Sequence, residues 1–390
     1  MAREYKNSGV KWIGEIPRDW EISKIKYHCT MKSGDNLTSN DIEPEGYYEV
    51  YGANGFRGYY NRYNCDGTHI LIGRQGALAG NVHIVDGKYW ATDHAVVTTI
   101  TDSTIDKFLY YALISANLNQ YAFVTAAQPG LAVSVIINKS VPLPPLPEQK
   151  AIADFLDAKC TEIDGLLADL DAEVKTLAEY KKSIIAETVT RGLNPTAPMK
   201  PSGMPWAETI PAHWEIEPIC TQFHNSIYRN LDYEYQKAFK FNYGTLKYKE
   251  ESGDLSQYKA TYINYSKIKK GDIIINGLNL NYDFISQRVA ITPEDGIITS
   301  AYIAIRPFDG VKSEYFNYLF KTMDNMKLFH GMGKGIRLTL SFDELKRVRI
   351  PIPSEQEQDE IVEYLDEKCA SIEQSITDKQ AQAETLKAYK

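Results

Sequence analysis

Fifteen residues from Ser8 to Ile22 recur from Ser202 to Ile216 with eight identical pairs, and four of the five tryptophans lie in these two copies. The matches include Trp12 with Trp206, Ile16-Pro17 with Ile210-Pro211, and Trp20-Glu21-Ile22 with Trp214-Glu215-Ile216. A second pair of copies closes each half: Pro142 to Lys181 recurs as Pro351 to Lys390, with sixteen of forty positions identical. A duplication on this scale restricts the chain to two modules of one architecture. Between the matched ends the copies diverge, spanning 122 positions from Trp20 to Pro142 and 137 from Trp214 to Pro351. Weak echoes persist, as in Thr68 to Gly73 against Gly271 to Asn276, and Phe108-Leu109-Tyr110-Tyr111 against Tyr315-Phe316-Asn317-Tyr318. The pattern predicts a shared fold with altered surfaces.

The closing segments read as long helices. Pro147 blocks helix upstream, and Glu148-Gln149 gives a first turn that suits the helix dipole. Ile152, Leu156, Cys160, Ile163, Leu167, Leu170, Val174, Leu177 and Ile184 follow steps of four and three, broken only at Lys181. A 3.5-residue period sustained this long is the mark of a coiled coil. The spacing predicts a helix ending near Thr190, before Gly192 and Pro195, about 65 Å long. Its copy carries Ile361, Leu365, Cys369, Ile372, Ile376 and Leu386, weakened at Lys379 and Ala383. The matching lengths favour the two seams pairing with each other; the alternative is two amphipathic helices, each packed on its own module.

The modules themselves read as mixed α/β. Short apolar runs (Val82 to Val85, Ala95 to Ile100, Ile273 to Ile275, Tyr302 to Ile305) alternate with glycine-rich turns, and a helix follows late in each module, near 106–120 and 313–328. The fold class expected is therefore α+β, divided as a first module 1–147, a first spacer helix 148–194, a second module 195–354 and a second spacer helix 355–390.

Catalytic chemistry finds no foothold in these residues. Phe329-His330-Gly331-Met332-Gly333 matches an FxGxG adenosylmethionine pattern, but helix is expected before it and strand (336–340) after it, the reverse of the order such a loop needs. The chain lacks a GxxxxGK[ST] loop, HExxH and GxSxG. Thr92-Asp93-His94 sets a carboxylate beside an imidazole, but in a strand neighbours face opposite ways. Five cysteines without CxxC pairs fit neither a disulfide framework nor a zinc site, so a reduced, cytoplasmic protein is expected. The opening Met1-Ala2-Arg3-Glu4-Tyr5-Lys6 leads into no apolar run, so neither a signal peptide nor a membrane segment is anticipated.

Polar and aromatic loops remain as the candidate functional surface. The net charge of −8 argues against a nucleic-acid binder, yet its distribution does not. Residues 215–350 hold 19 basic against 16 acidic side chains, and the negative excess sits in 142–201 (7 against 10) and 351–390 (4 against 10). Tyr51, Asn54, Arg57, Tyr59, Arg62 and Tyr63 crowd one glycine-rich segment. Ile70-Leu71-Ile72-Gly73 then runs straight into Arg74-Gln75, and Arg on guanine or Gln on adenine are pairings of major-groove readout. The second module offers Asn276, Asn279, Asn281, Gln287, Arg288, Lys334 and Arg337. Tyrosines also fill cores and protein interfaces, so that use of the same loops stays open.

A duplicated chain of Trp motif, variable module and long spacer helix resembles the specificity subunit of type I restriction–modification systems. The resemblance covers essentially all 390 residues. It rests on Trp12 to Trp20 and its copy, on Pro142-Leu143-Pro144-Pro145-Leu146-Pro147-Glu148-Gln149, and on Thr190-Arg191-Gly192-Leu193-Asn194. Tyr51 to Gly55, Gly73 to Gly76 and Trp90 to His94 look like a recurrent target-recognition type of that family, which adds Thr92 and His94 to the candidate DNA contacts.

The resemblance implies two target-recognition domains in tandem, each reading one half of an asymmetric two-part site in double-stranded DNA. The helices would run antiparallel, setting the gap between half-sites and docking two methyltransferase subunits, with restriction subunits joining them. This chain would hold no cofactor and catalyse nothing; S-adenosylmethionine, Mg²⁺ and ATP would belong to the partners. One departure is that Lys390 is the counterpart of Lys181, so Lys182 to Asn194 have no second copy and docking of one methyltransferase is put in doubt. Two other readings stay open: a tandem-module protein scaffold that never reads DNA, and a DNA-modifying enzyme with an unfamiliar site.

Overall fold

The computed structural model describes residues 3–125, 128–226, 228–250, 255–335 and 338–390. They form two compact units, Met1–Gly165 and Leu166–Lys390, so the division falls inside the first spacer helix and not at its start. Taken separately, the units have one architecture.

In the first unit an antiparallel sheet is ordered Cys29–Ser33, Ala95–Ile100, His69–Gly73, Val82–Val85. The second unit repeats that order with Phe223–Asn225, Ile303–Pro307, Ile273–Ile275 and Val289–Ile291. The middles of the central strands, Ile70-Leu71-Ile72 and Ile273-Ile274-Ile275 among them, are continuously apolar and buried because both faces are covered. Ile70 and Ile72 face the helix Asp106–Ser115, while Leu71 and Val97 pack with Tyr89 and Ala91. Likewise Ile273 and Ile275 face the helix Ser313–Asn325, and Ile274 and Ala304 pack with Phe239, Ile268 and Ile298. Behind this sheet lies a smaller layer. It is ordered Gly55–Tyr60, Tyr48–Gly52, Lys88–Ala91, Cys65–Asp66 in the first unit, with the middle pair parallel. In the second unit the hairpin of Phe239–Asn242 and Thr245–Tyr248 and the pair Ser266–Ile268 with Gly296–Ile298 meet at a parallel Ala238–Ile297 bridge. Mixed α/β modules in tandem are thus present.

The duplicated motifs build the frame and not the variable layer. Glu21–Lys24 pairs antiparallel with Ser140–Leu143, and Glu215–Pro218 with Arg349–Ile352. Each strand ends beside a tryptophan that ties it to a spacer helix. Trp20 Nε1 donates to Glu148 Oε2 at 2.9 Å, and Trp214 Nε1 to Glu357 Oε1 at 3.2 Å. The adjacent glutamines reach back over the helix start, Gln149 Nε2 to the Pro144 carbonyl at 2.9 Å and Gln358 Nε2 to that of Pro353 at 3.0 Å. About two turns further on, Tyr111 donates to Asp157 Oδ1 (2.7 Å) and Tyr318 to Asp366 Oδ1 (2.6 Å). The repeated Trp, Glu-Gln and Leu-Asp positions are therefore one joint made twice.

The first spacer helix is Leu146–Arg191 and the second Glu355–Tyr389. Gly192, at φ +72°, ends the first by donating its N–H to the Thr188 carbonyl at 3.0 Å. Within the second unit the two helices run antiparallel. Lys181 pairs with Glu373 and Lys379 with Glu173, so numbers rise on one helix as they fall on the other. The two lysines that interrupt the hydrophobic seams are thus each matched by a glutamate across the pair. Such exposed ion pairs contribute at most ~1 kcal/mol each and act chiefly on register. Around Leu365 and Cys369 the seam is buried, with Ile185 and Val189 in the same cluster, whereas Leu167, Leu170 and Val174 are half-buried. The stretch expected as strand at 336–340 carries only the isolated Lys334–Thr339 pair, and residues 336 and 337 lie outside the described residues. Among the described residues no helix is long and apolar enough to cross a membrane.

Candidate nucleic-acid interface

Each central strand delivers its end into a loop that the same later segment clamps. After His69–Gly73, the Arg74 N–H donates to the His94 carbonyl (2.8 Å), the Arg74 carbonyl accepts from the Leu131 N–H (2.8 Å), and Gln75 bridges to Gly130. After Ile273–Ile275, the Asn276 N–H donates to the Arg288 carbonyl (2.8 Å) and the Gly277 carbonyl accepts from Leu340 (2.9 Å). Glycine is needed at the crossing. A Cβ on Gly73 would lie 2.3 Å from the Ala53 carbonyl oxygen, and one on Gly277 would lie 2.7 Å from that of Leu340. The loop positions are equivalent and their side chains differ.

In the first module this crossing gathers much of the expected set. Arg74 is half-exposed and its Nη1 donates to Ser33 Oγ at 3.0 Å; Gln75 is exposed beside it. The tip of the Tyr48–Tyr60 hairpin abuts Gly73 and presents Asn54, whose Oδ1 accepts from Asn81 at 3.3 Å. Arg57 lays its stem over Gly52 and reaches Ser39 Oγ at 3.3 Å. Tyr59 and Arg62 belong to the other end of the hairpin: Tyr59 pairs with Glu43 and packs edge-on against Phe56, and Arg62 is exposed.

Two expectations for this module need correction. Thr92 is 0% exposed, with its hydroxyl buried, so it shapes the floor of the site and does not reach a base. Thr92 makes an isolated parallel bridge to Asp35, and Asp93-His94 is a turn, not a strand, which brings Asp93 Oδ1 within 4.0 Å of His94 Nε2 on a half-exposed rim. The reading of the residues passed over Asn81 and His83. His83 lies against the hairpin tip at Gly55, with its pKa lowered by burial.

The second module corrects more. Arg288, expected as a base reader, is 2% exposed. Its Nη1 donates to the carbonyls of Asn276 (3.1 Å) and Leu278 (2.8 Å), and its Nη2 to that of Asp283 (2.8 Å). It is the internal pin of the loop between the strands Ile273–Ile275 and Val289–Ile291. Gln287 is also turned inward, donating to Asp324 Oδ2 at 2.5 Å. Asn276 Oδ1 caps the Leu278 N–H (3.2 Å), Asn281 is half-buried, and Asn279 is exposed at φ +52°. Lys334 is exposed and paired with Glu344 at 2.7 Å; Arg337 lies outside the described residues. Asp283 Oδ1 accepts from the N–H groups of Ser286 (2.9 Å) and Ile285 (3.0 Å), and the Ser286 bond above all holds its carboxyl down at about 2.

Removing the pin should therefore damage folding and not merely binding. Arg288→Ala takes the guanidinium from the part-buried carbonyls of Asn276 and Leu278, at ~1–3 kcal/mol each, and Arg288→Lys restores only part because an ammonium lacks the guanidinium fork. Urea unfolding and limited proteolysis within 276–288 measure this; an unchanged midpoint and cleavage pattern would contradict it.

Among the described residues there is no group of three or more His, Cys, Asp or Glu side chains placed to hold a metal ion. The interface consists of loops carrying Arg, Gln, Asn and aromatic side chains on rigid strands, an arrangement suited to recognising a polar surface.

Comparison with known proteins agrees with this architecture. The family described as type I restriction modification DNA specificity domain matches twice, at residues 17–176 and 227–384. The chain is 40% identical over 131 residues to the type I restriction enzyme EcoprrI specificity subunit of Escherichia coli, covering 33% of this chain and about a third (32%) of that protein's length. It is 24% identical over 350 residues to a putative type I specificity subunit of Mycoplasma pneumoniae, covering 88% and 87% of the two chains. Among solved structures, a chain from a study of complex assembly and conformational transition of the type I R-M system aligns with TM-score 0.66 at 15% identity, covering 96% of each chain. The HsdS subunit of Thermoanaerobacter tengcongensis aligns with TM-score 0.52 at 15% identity, covering 97% of this chain and 95% of that one. With the two matches together spanning most of the chain, one over each half, the chain belongs to the type I restriction–modification DNA specificity family.

Proposed function

We propose that this chain is the sequence-reading subunit of a type I restriction–modification complex, each module recognising one half of an asymmetric two-part site in double-stranded DNA. One observation carries the reading: two modules of the same topology present loops from the same strand end, Gly73-Arg74-Gln75 in one and Asn276-Gly277-Leu278 in the other. A shared scaffold with different loop side chains reads two different sequences. Arg74 and Gln75 would take base edges; Arg57, Arg62 and Lys334 would serve the phosphates, which position the protein and carry no sequence information.

In this reading the antiparallel helices set the unread gap and offer their acidic outer faces to two methyltransferase subunits, with restriction subunits joining that core in the cytoplasm. The chain itself is non-catalytic. S-adenosylmethionine, Mg²⁺ and ATP belong to the partners, and so does extrusion of the target adenine from the duplex.

The test is a selection from randomised duplexes, using tagged chain purified from its host with whatever subunits accompany it. The expected result is enrichment of two unlike blocks at a fixed separation, with binding that falls steeply as salt rises because phosphate contacts release counterions. Absence of any enriched block, together with salt-insensitive behaviour towards duplexes, would favour a protein scaffold and remove the proposal.

A further inference from the structure

Resting on that reading, we infer that the loop between residues 279 and 286 is an apolar wedge that enters a base step of the second half-site. Ile285 is 95% exposed, Tyr282 76% and Phe284 55%, all within four consecutive residues. Apolar side chains so exposed ordinarily sit on mobile segments. Here the backbone beneath them is fixed from several sides. Arg288 holds the carbonyls of Leu278 and Asp283, Asp283 holds the N–H groups of Ile285 and Ser286, and His330 Nε2 lies 3.0 Å from the Asp283 carbonyl oxygen. Phe284 stacks on the His330 ring at 4.7 Å with 22° between planes.

A rigid support under protruding Tyr, Phe and Ile side chains has a definite use against DNA. Proteins that kink a duplex insert Phe, Leu, Ile or Met between base pairs, and the unstacking cost is offset only if the wedge arrives preorganised. The placement agrees with this use. The loop leaves the same strand end from which Arg74 leaves in the first module. Leu280, bonded through its N–H to the Leu338 carbonyl at 3.2 Å, sets the loop beside the segment that carries exposed Lys334. The first module has a weaker counterpart in Leu78, 41% exposed after Arg74-Gln75. The half-sites would accordingly be read by different means, polar contacts dominating one and shape and deformability contributing to the other.

The experiment uses the purified complex and a duplex recovered by the selection above, with fluorophores flanking the second block to report its bend by energy transfer. Wild type is expected to shorten the distance between the dyes. The double variant Phe284→Ala/Ile285→Ala should lose most of that change and bind about tenfold more weakly, while Ile285→Leu retains both and recognition of the first block is untouched. Equal energy transfer and equal affinity for wild type and the double variant would overturn the wedge while leaving sequence reading intact. Failure of the wild-type complex to select any duplex would remove both.

Discussion

Arg74→Ala should weaken binding to the selected duplex about 5- to 150-fold and blur one of its two blocks while leaving the other sharp. The range follows from ~1–3 kcal/mol for a bidentate contact to a base edge. The side chain is well placed for it. Its backbone is held on both sides by the His94 carbonyl and the Leu131 N–H, and its guanidinium is steadied by Ser33 while staying half-exposed. Arg74→Lys should rescue little, because an ammonium cannot reproduce the planar two-donor contact. Arg62→Ala, in an exposed position away from the crossing, should weaken all sequences alike. Repeating the selection with each variant checks the pattern; equal degradation of both blocks by Arg74→Ala would show that it does not read a base.

The largest stability effect is expected at Trp214. It is 1% exposed, packs its ring against Gly192 at the end of the first spacer helix, donates to Glu357 at the start of the second, and belongs to the cluster that includes Ile185, Val189, Ile361 and Leu365. Trp214→Ala should therefore cost ~3–5 kcal/mol, the range for deleting a buried aromatic side chain. Its counterpart Trp20 makes the same bond to Glu148 but is only half-buried, so Trp20→Ala should cost distinctly less. Urea unfolding followed by circular dichroism measures both. Equal midpoint shifts would mean that the indole–carboxylate bond dominates and burial adds little.

The comparison of the two tryptophans also shows how far a repeat can be read. Identity of Trp, Glu-Gln and Leu-Asp positions in the two halves announces two equivalent joints, and the hydrogen bonds are indeed equivalent. It does not announce that one joint lies deeper, because that depends on which distant segment covers it. The same division applies to charge on the seam. Lys181 and Lys379 read as faults in a hydrophobic pattern, and only the antiparallel alignment reveals Glu373 and Glu173 opposite them.

The candidate interface divides in a similar way. A buried apolar strand running into Arg74-Gln75 locates an exposed loop, since continuous hydrophobicity ends where the sheet ends. No such rule separates Arg74 from Arg288. Both are arginines next to glutamines in polar loops, yet one is half-exposed and the other gives its guanidinium to backbone carbonyls. Thr92 sinks to the floor for a comparable reason, its turn being folded against the Gly52 strand, where its N–H meets the Tyr51 carbonyl at 2.9 Å. The converse case is Ile285, an apolar residue that stands in solvent.

The sequence alone determined that the chain has two modules of one architecture, that long helices follow each, and that short apolar strands run through them. Repeats and periodicities carry such information because they reflect local geometry, 2 residues per strand repeat and about 3.5 per helical seam. Only the tertiary structure decided which loop arginine faces outward, which pins the backbone, and which apolar side chains are left uncovered. Those outcomes turn on contacts between residues far apart in the chain, and a buried donor must be satisfied wherever an acceptor happens to lie.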